Sequence, residues 1–406
     1  MRSVIVIGGG AAGMAAAIAA AACGDRVTVL ERMDRVGKKI LATGNGRCNL
    51  MNRGGLRYPG GAALAEAVLT RFGALEQTRF WEHFGLRMRQ EDGGRVYPVS
   101  GAASTVLDTM RQAQRLLGVT TVTEAEATAI RQGKKGWIVE AGGKSYVADR
   151  VIVAGGGCAQ PKLGSNGSTY ALLTALGHHM VRTRPALTQI MSDVAPIRGL
   201  SGIRVRCDVR LTRSGDERYA ESGELLFADY GVTGVCVMQC ARYAAPGDVM
   251  HIDLTRAMGF DTPDALHAEL IRRRDAWGSR ATQLDLLTGL CVPKLAIALC
   301  REAGLEKPGE RSADMLSERM LKRLVQLAGD LCLTIKDVKG FDSAQVTAGG
   351  IRADEFDPAT LGSRIVPGIH AAGEVLDVDG DCGGYNLMFA FGSGILAGLN
   401  GRECPW

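Results

Sequence analysis

Residues 3–31 read SVIVIGGGAAGMAAAIAAAACGDRVTVLE, and this stretch decides the fold. Ser3 to Ile7 is a short apolar run of the kind that fills a central parallel strand, and it enters Gly8-Gly9-Gly10-Ala11-Ala12-Gly13 directly. Met14 to Cys23 continues as an alanine-rich helix, and Arg26 to Leu30 is a second strand that ends in Glu31. Gly8 allows the tight turn and Gly10 lets backbone approach a pyrophosphate. Gly13, with Ala12 beside it, lets helix and strand pack closely. The helix N-terminus then faces the phosphates, where free amides and the helix dipole favour an anion. Glu31, followed by Arg32, stands where a carboxylate can accept both ribose hydroxyls of an adenosine. Strand, glycine turn, helix, strand and acid in this order predict a dinucleotide site.

The composition fits an enzyme with room for such a site. The chain has 406 residues, enough for two or three domains with their own cores. Forty-eight basic residues against 43 acidic ones give a net charge of +5, too mild a balance to point to nucleic acid. The basic clusters, Arg204-Val205-Arg206 with Arg210 and Arg213 and the run Arg272-Arg273-Arg274, read as solvated faces. Eleven cysteines lie at irregular spacing with no C-x-x-C pair, which suggests reduced thiols and a cytoplasmic protein. The first strand begins at residue 3 and leaves no room for a targeting peptide. No uninterrupted apolar stretch reaches about 18 residues, so no membrane span is expected.

Downstream of Glu31, residues Arg35 to Asn49 read as a long loop dense in glycine and polar groups. There Lys38, Lys39 and Arg47 can neutralise a pyrophosphate, and Gly44 and Gly46 can bring backbone amides to a cofactor ring. Ala62 to Phe84 carries two amphipathic helical patterns, and Glu91-Asp92-Gly93-Gly94 marks a hairpin. A helix over Ala102 to Leu117 leads to a third sheet strand at Val119 to Thr123. Ala125 to Arg131, Gly136 to Ala141 and Lys144 to Ala148 then form an antiparallel meander. A meander in the crossover position departs from a plain nicotinamide fold and matches a glutathione-reductase-like FAD domain. Val151 to Ala154 is again a buried strand, and it runs into Gly155-Gly156-Gly157, where side chains would clash with an adenosine. His178 and His179 read as a surface pair at a helix end.

The character changes at Arg184-Pro185. Ile190 to Val194, Gly202 to Thr212, Arg218 to Phe227 and Val249 to Leu254 alternate like strands of a separate β unit, turned at Ser214-Gly215-Asp216. Asp261 to Gly329 is helical, with leucines marking apolar faces, and no Ser-His-Asp set or metal cluster appears in this half. The cofactor-like pattern returns at Gly368-Ile369-His370-Ala371-Ala372-Gly373-Glu374, where the acid can accept hydroxyls of a ribitol chain. Cys382-Gly383-Gly384 then opens a helix at Tyr385-Asn386-Leu387, whose N-terminal dipole can hold the pyrimidine edge of a flavin.

Taken together, Gly8 to Gly13, Gly37-Lys38-Lys39 with Gly44-Asn45-Gly46-Arg47-Cys48-Asn49, Val151 to Gly157, Gly223-Glu224-Leu225-Leu226-Phe227 and Gly383-Gly384-Tyr385-Asn386-Leu387 resemble the BaiN-like family of NAD(P)/FAD-dependent oxidoreductases over nearly the whole chain. The resemblance implies an α/β fold with a discontinuous Rossmann FAD domain, interrupted by a β-barrel-like unit and a helical unit. On this chain those would be residues 1–185 and 346–406, residues 186–256 with about 331–345, and residues 257–330. It implies non-covalent FAD held by the glycine, lysine and loop residues named above, with Ala154, Gly155, Gly156, Gly373 and Glu374. It also implies NAD(P)H as a transient donor, and reduction of a double bond conjugated to a 3-oxo group in a steroid-like or bile-acid-like small molecule. Tyr385 and then Arg47 are the expected proton donors or oxyanion partners, since both lie in flavin-side loops. An oxidase of a small amine that releases hydrogen peroxide and an RNA-modifying flavoprotein are the alternatives. Three departures from the family pattern stand out: Ala228-Asp229 follows Leu226-Phe227 where Thr-His is usual, Cys382 replaces a threonine, and Glu374 replaces the aspartate of more distant flavoenzymes.

Overall fold

Val4, Ile5, Val6 and Ile7 offer nothing polar to water, so the strand Ser3–Ile7 is covered on both faces and sits at the centre of a five-stranded sheet. The computed structural model, which describes residues 1–406, places the strands in the order Ile369–Ala371, Arg150–Val153, Ser3–Ile7, Arg26–Leu30, Thr120–Val122, every pair parallel. By contact the chain divides into two units, Met1–Pro185 with Phe341–Trp406 and Ala186–Gly340.

In the first unit the helix Ala11–Ala22 lies against the last helix, Tyr385–Leu399, almost backbone to backbone. A side chain on Gly394 would place its Cβ 2.3 Å from the Ala12 carbonyl oxygen, and one on Gly398 would meet the Ala16 oxygen at 2.4 Å. Arg150 fastens the far end of this pair. Its side chain is buried and donates to the carbonyls of Ala397 (2.5 Å) and Gly398 (3.0 Å), two of the carbonyls a helix end leaves unpaired. Asp25, also buried, lies 3.4 Å from Arg150 and 2.6 Å from Arg402. The strands Ala127–Gly133, Gly136–Ala141 and Lys144–Ala148 form the antiparallel meander. The stretch expected to be a loop at 35–49 instead winds into a short helix, Lys38–Ala42, and a tight turn, Thr43–Gly46. Gly37 (φ 76) opens that helix in a left-handed conformation, and Gly44 (φ 56) and Asn45 (φ 55) end it the same way. His178 is not at the surface: its ring is buried, stacks on Phe356 at 4.6 Å, and shares Glu355 with His179.

The second unit is built on a closed antiparallel barrel, ordered Ile190–Ser192, Gly231–Thr233, Asp216–Ala228, Arg204–Arg213, Val249–Asp253, Leu331–Val338. Pairing of Ile190–Ser192 with Leu331–Val338 closes it. Ser214 (φ 53) and Gly215 (φ 90) make the two-residue hairpin turn, a left-handed pair that suits the strand twist. The helices Pro263–Trp277, Pro293–Glu302 and Glu318–Gly329 do not form a domain of their own over 257–330. Leu266, Leu270, Leu295, Leu299, Leu321 and Leu324 join Val209, Leu211, Met250, Ile252 and Leu333 of the barrel in one buried cluster, because three short helices have too little apolar surface to close a core alone. No helix of the chain is long and apolar enough to cross a membrane.

Arg150 carries its charge in the interior only because Asp25 and two carbonyls face it, and burial still pulls its guanidinium down to about 10. Asp25→Ala therefore destabilises the protein by about 3–5 kcal/mol, the cost of breaking a buried pair from one side. The loss would be read as a lower urea midpoint at unchanged slope. An unchanged midpoint would show that the carbonyls of Ala397 and Gly398 suffice.

Candidate functional site

Parallel register makes the sheet end level. Ile7 lies opposite Leu30 and Val153, and Val153 lies opposite Ala371, so Gly8, Glu31, Ala154 and Ala372 leave the carboxyl edge side by side. That edge is where open α/β sheets take their ligands. The glycines there are of two kinds. A Cβ on Gly8 would lie 2.5 Å from the Ala154 oxygen and one on Gly13 would lie 1.9 Å from the Gly8 oxygen, so both are required by packing. Gly10 has nothing within 4 Å of where its Cβ would be. It is also the N-cap of Ala11–Ala22, with no side-chain cap and no acidic residue in the first turn. The amides of that turn are left for an outside anion. Glu31 is buried and accepts from the amides of Gly9 (2.6 Å) and Met33 (2.8 Å), which holds the carboxylate at the strand end with lone pairs to spare.

Four of the five sequence blocks lie in this unit, Gly223 to Phe227 being in the other. Lys39 and Glu374, far apart in sequence, pair at 2.7 Å, and the other Glu374 oxygen accepts from the Thr347 amide at 2.7 Å. A Cβ on Gly373 (φ 75) would stand 2.7 Å from the Ala12 methyl, and one on Gly384 (φ 102) would stand 2.7 Å from Asn49 Oδ1. That Asn49 oxygen is buried and unpartnered, as is the hydroxyl of Thr169, which faces Gly155. Gly156 (φ 77) packs against Ser165 in the same turn. An uncapped helix start, a held acid and two orphaned polar atoms facing glycines fit an extended dinucleotide flavin, since each is a group the fold leaves unsatisfied.

Other residues from the sequence reading are committed elsewhere. Lys38 pairs with Asp34, and Arg32 points 3.5 Å from Glu126. Arg47 pairs with Glu91 and lies over the Tyr97 ring at 4.1 Å, so it is not a free cation for a pyrophosphate. Cys48 (φ 57) is wholly buried, and burial pushes its thiol up to about 12, which leaves it a packing residue. Asn386 closes both ways on Gly380, accepting from its amide at 2.8 Å and donating to its carbonyl at 2.7 Å, and so pins the loop before the last helix. Gly44, Asn45 and Gly46 keep left-handed backbone, and Leu387 is half-buried one turn into the helix.

Tyr385 opens the helix Tyr385–Leu399, and its ring is buried edge-on to Tyr58 with centroids 6.0 Å apart. Burial raises its phenol above the usual tyrosine range, while the charges of Arg57 and Arg95 pull it back in part. Four residues around the site escape the sequence reading. Tyr58 donates its hydroxyl to the Tyr385 carbonyl at 2.6 Å, and Asn52 donates to the Gly383 carbonyl at 2.9 Å. Thr347 accepts from the amides of Cys158 and Ala159, and Thr169 offers its free hydroxyl. Asn52 lies three residues after Asn49, and Thr169 ends the glycine and hydroxyl loop Leu163 to Thr169; Tyr58 and Thr347 sit in segments with no pattern of their own.

Comparison with known proteins agrees with this architecture. Residues 2–400 match the family model described as HI0933-like protein Rossmann domain. The chain is 36% identical over 416 aligned positions to the 3-dehydro-bile acid delta(4,6)-reductase of Clostridium scindens, with 100% of each chain covered. It is 27% identical to the ribosomal RNA dihydrouridine synthase of Escherichia coli, over 96% of this chain and 95% of that one. The corresponding protein of Haemophilus influenzae is 25% identical, over 98% and 97%. With its family model matched across nearly its whole length and one relative similar from end to end, the chain belongs to the HI0933-like Rossmann family and is a flavin-dependent oxidoreductase of the FAD-binding, BaiN-like kind.

Proposed function

We propose that the chain reduces a carbon–carbon double bond conjugated to a carbonyl in a steroid-like small molecule, with NAD(P)H as the electron donor. The observation that carries this reading is the full-length 36% identity to the Clostridium scindens enzyme, whose name describes a reductase of 3-dehydro bile acids. Bound FAD would supply two-electron hydride chemistry. What remains for the chain is to bind, to orient and to move one proton, because a conjugated carbonyl asks for a hydrogen-bond donor at its oxygen and a proton at the adjacent carbon.

The uncapped turn at Gly10–Gly13 holds the pyrophosphate, and Glu31 takes the adenosine ribose. Gly384 and the first amides of Tyr385–Leu399 take the pyrimidine edge. A helix end contributes about 0.3–2 kcal/mol toward negative charge there. Lys39 pairs with Glu374 beside Thr347 and so fixes the edge of the ribitol site. Tyr385 is the proton donor at its Oη. Its phenol, like any tyrosine's, is protonated at neutral pH, and burial extends that range upward. Arg47 is a poorer donor than the sequence reading suggests, because its hydrogen bond to Glu91 raises its pKa further and holds its proton. It positions Tyr97 and the loop around it.

A second reading is favoured by the two dihydrouridine synthases, since the C5–C6 bond of uridine is likewise conjugated to a carbonyl. Against it, several arginines of the barrel and helices are matched by acids: Arg204 by Glu224, Arg213 by Asp248, and Arg272 and Arg273 by Glu269.

The deciding experiment is anaerobic stopped-flow absorbance of the flavin band after mixing with NADH or NADPH, then admission of air, a 3-oxo-4-ene steroid or ribosomal RNA. Fast bleaching with fast recovery on the steroid supports the first reading. Fast recovery only with RNA would move the assignment to the second, and no bleaching by either nicotinamide would remove NAD(P)H as donor. Tyr385→Phe should lower turnover about 100-fold or more at unchanged flavin content. In the parent, the basic limb of the pH profile should fall above about pH 10, because a raised phenol pKa delays loss of the proton. Unchanged turnover would remove Tyr385 from the reaction. Gly10→Ala should keep its thermal stability without flavin, within about 0.5 kcal/mol, and lose FAD. Gly13→Ala should lose both, because its Cβ strikes the Gly8 carbonyl.

A further inference from the structure

We propose that His251, Asp330 and Cys332 form a divalent-cation site on the outer face of the barrel, and that zinc is the ion its mixed nitrogen, oxygen and sulfur donors suit best. Strand alternation puts two of the three side by side. Met250 and Ile252 point into the core from Val249–Asp253, and Leu331 and Leu333 do so from Leu331–Val338, so His251 and Cys332 both face outward. They are also direct cross-strand partners. Asp330, which ends the helix Glu318–Gly329, enters beside them. His251 Nδ1 is 2.7 Å from Asp330 Oδ1 and 3.5 Å from Cys332 Sγ, and all three donor atoms lie within 4.8 Å of one another. Ligands about 2.0–2.3 Å from a shared zinc fall within that spread.

A second feature makes this more than a chance cluster. The other ring nitrogen, His251 Nε2, is 3.0 Å from the hydroxyl of Thr212, which is itself buried. Metal-binding histidines are ordinarily oriented this way by a partner on the far nitrogen. With Nδ1 as ligand, Nε2 carries the hydrogen and donates it to Thr212 Oγ1. Binding then displaces the Cys332 thiol proton to solvent, and one thiolate with one carboxylate balances the ion's two charges. A coordinating thiol is deprotonated by the ion's own charge. His251 and Asp330 also line a cleft of about 580 Å³ with Asp208, Ser222 and Asp253, which leaves room for water as a fourth ligand. The site would pin a helix end to two barrel strands. It does not depend on the substrate reading.

The test uses the flavin-loaded full chain, stripped with a chelator and titrated with Co²⁺. One equivalent should give intense tetrahedral absorption in the red, clear of the flavin bands, and one equivalent of Zn²⁺ should abolish it. Cys332→Ser and His251→Ala should each lose the signal, and Thr212→Val should weaken zinc binding about 10-fold, all at unchanged flavin content. Because Cys332 is exposed, its serine variant folds whatever the fate of the histidine variant. No absorption at one equivalent, or the same absorption from Cys332→Ser, would overturn the assignment.

Discussion

The first unit depends on how closely two helices can approach. Ala11–Ala22 and Tyr385–Leu399 touch at Gly394 and Gly398 with room for nothing larger than hydrogen. That contact sets the position of everything that precedes the last helix. Gly373 reaches Ala12, Gly384 reaches Asn49, and Glu374 comes within a hydrogen bond of Lys39. A candidate cofactor site shared between the two ends of a 406-residue chain is then a consequence of small side chains in one seam.

Charge around that site is mostly internal. Lys38, Lys39 and Arg47 each have a carboxylate of their own, and Glu31 is held by amides and not by a cation. The anion-holding capacity of the site therefore rests on backbone N–H groups and a helix dipole. These are fixed in direction and do not need to be drawn from a competing partner before they act.

Much of this could be read from residue order. Apolar runs bounded by glycine identify Ser3–Ile7, Arg26–Leu30 and Arg150–Val153 as central strands to within a residue, because strands covered on both faces allow little else. Of the fingerprint glycines, Gly8 and Gly13 sit where packing demands them, whereas Gly10 is left open. Pairing was less readable: Asp34 stands four residues before Lys38, a local signal for an ion pair, but nothing local says that Glu91 occupies Arg47 or that Asn386 turns back onto Gly380. The leucine stripes of residues 257–330 announce helices with apolar faces but not the barrel that covers them. His251 and the Asp330–Cys332 pair escape for the same reason, since only barrel register makes them neighbours. Glycine and strand pattern are local physics, whereas ion pairs and shared cores are decided by which surfaces meet.

The sheet also has a consequence for how the chain is made. Its edge strand Ile369–Ala371, and the helix that Arg150 fastens, are synthesised only after the whole of Ala186–Gly340. The inserted unit is contiguous and has its own buried cluster, so it can close while the nucleotide domain still lacks a strand and its longest helical seam. Long-range closure of this kind is slow, and it leaves the central strands without one edge in the meantime. The nascent protein therefore becomes competent to hold FAD only when almost all of it has left the ribosome.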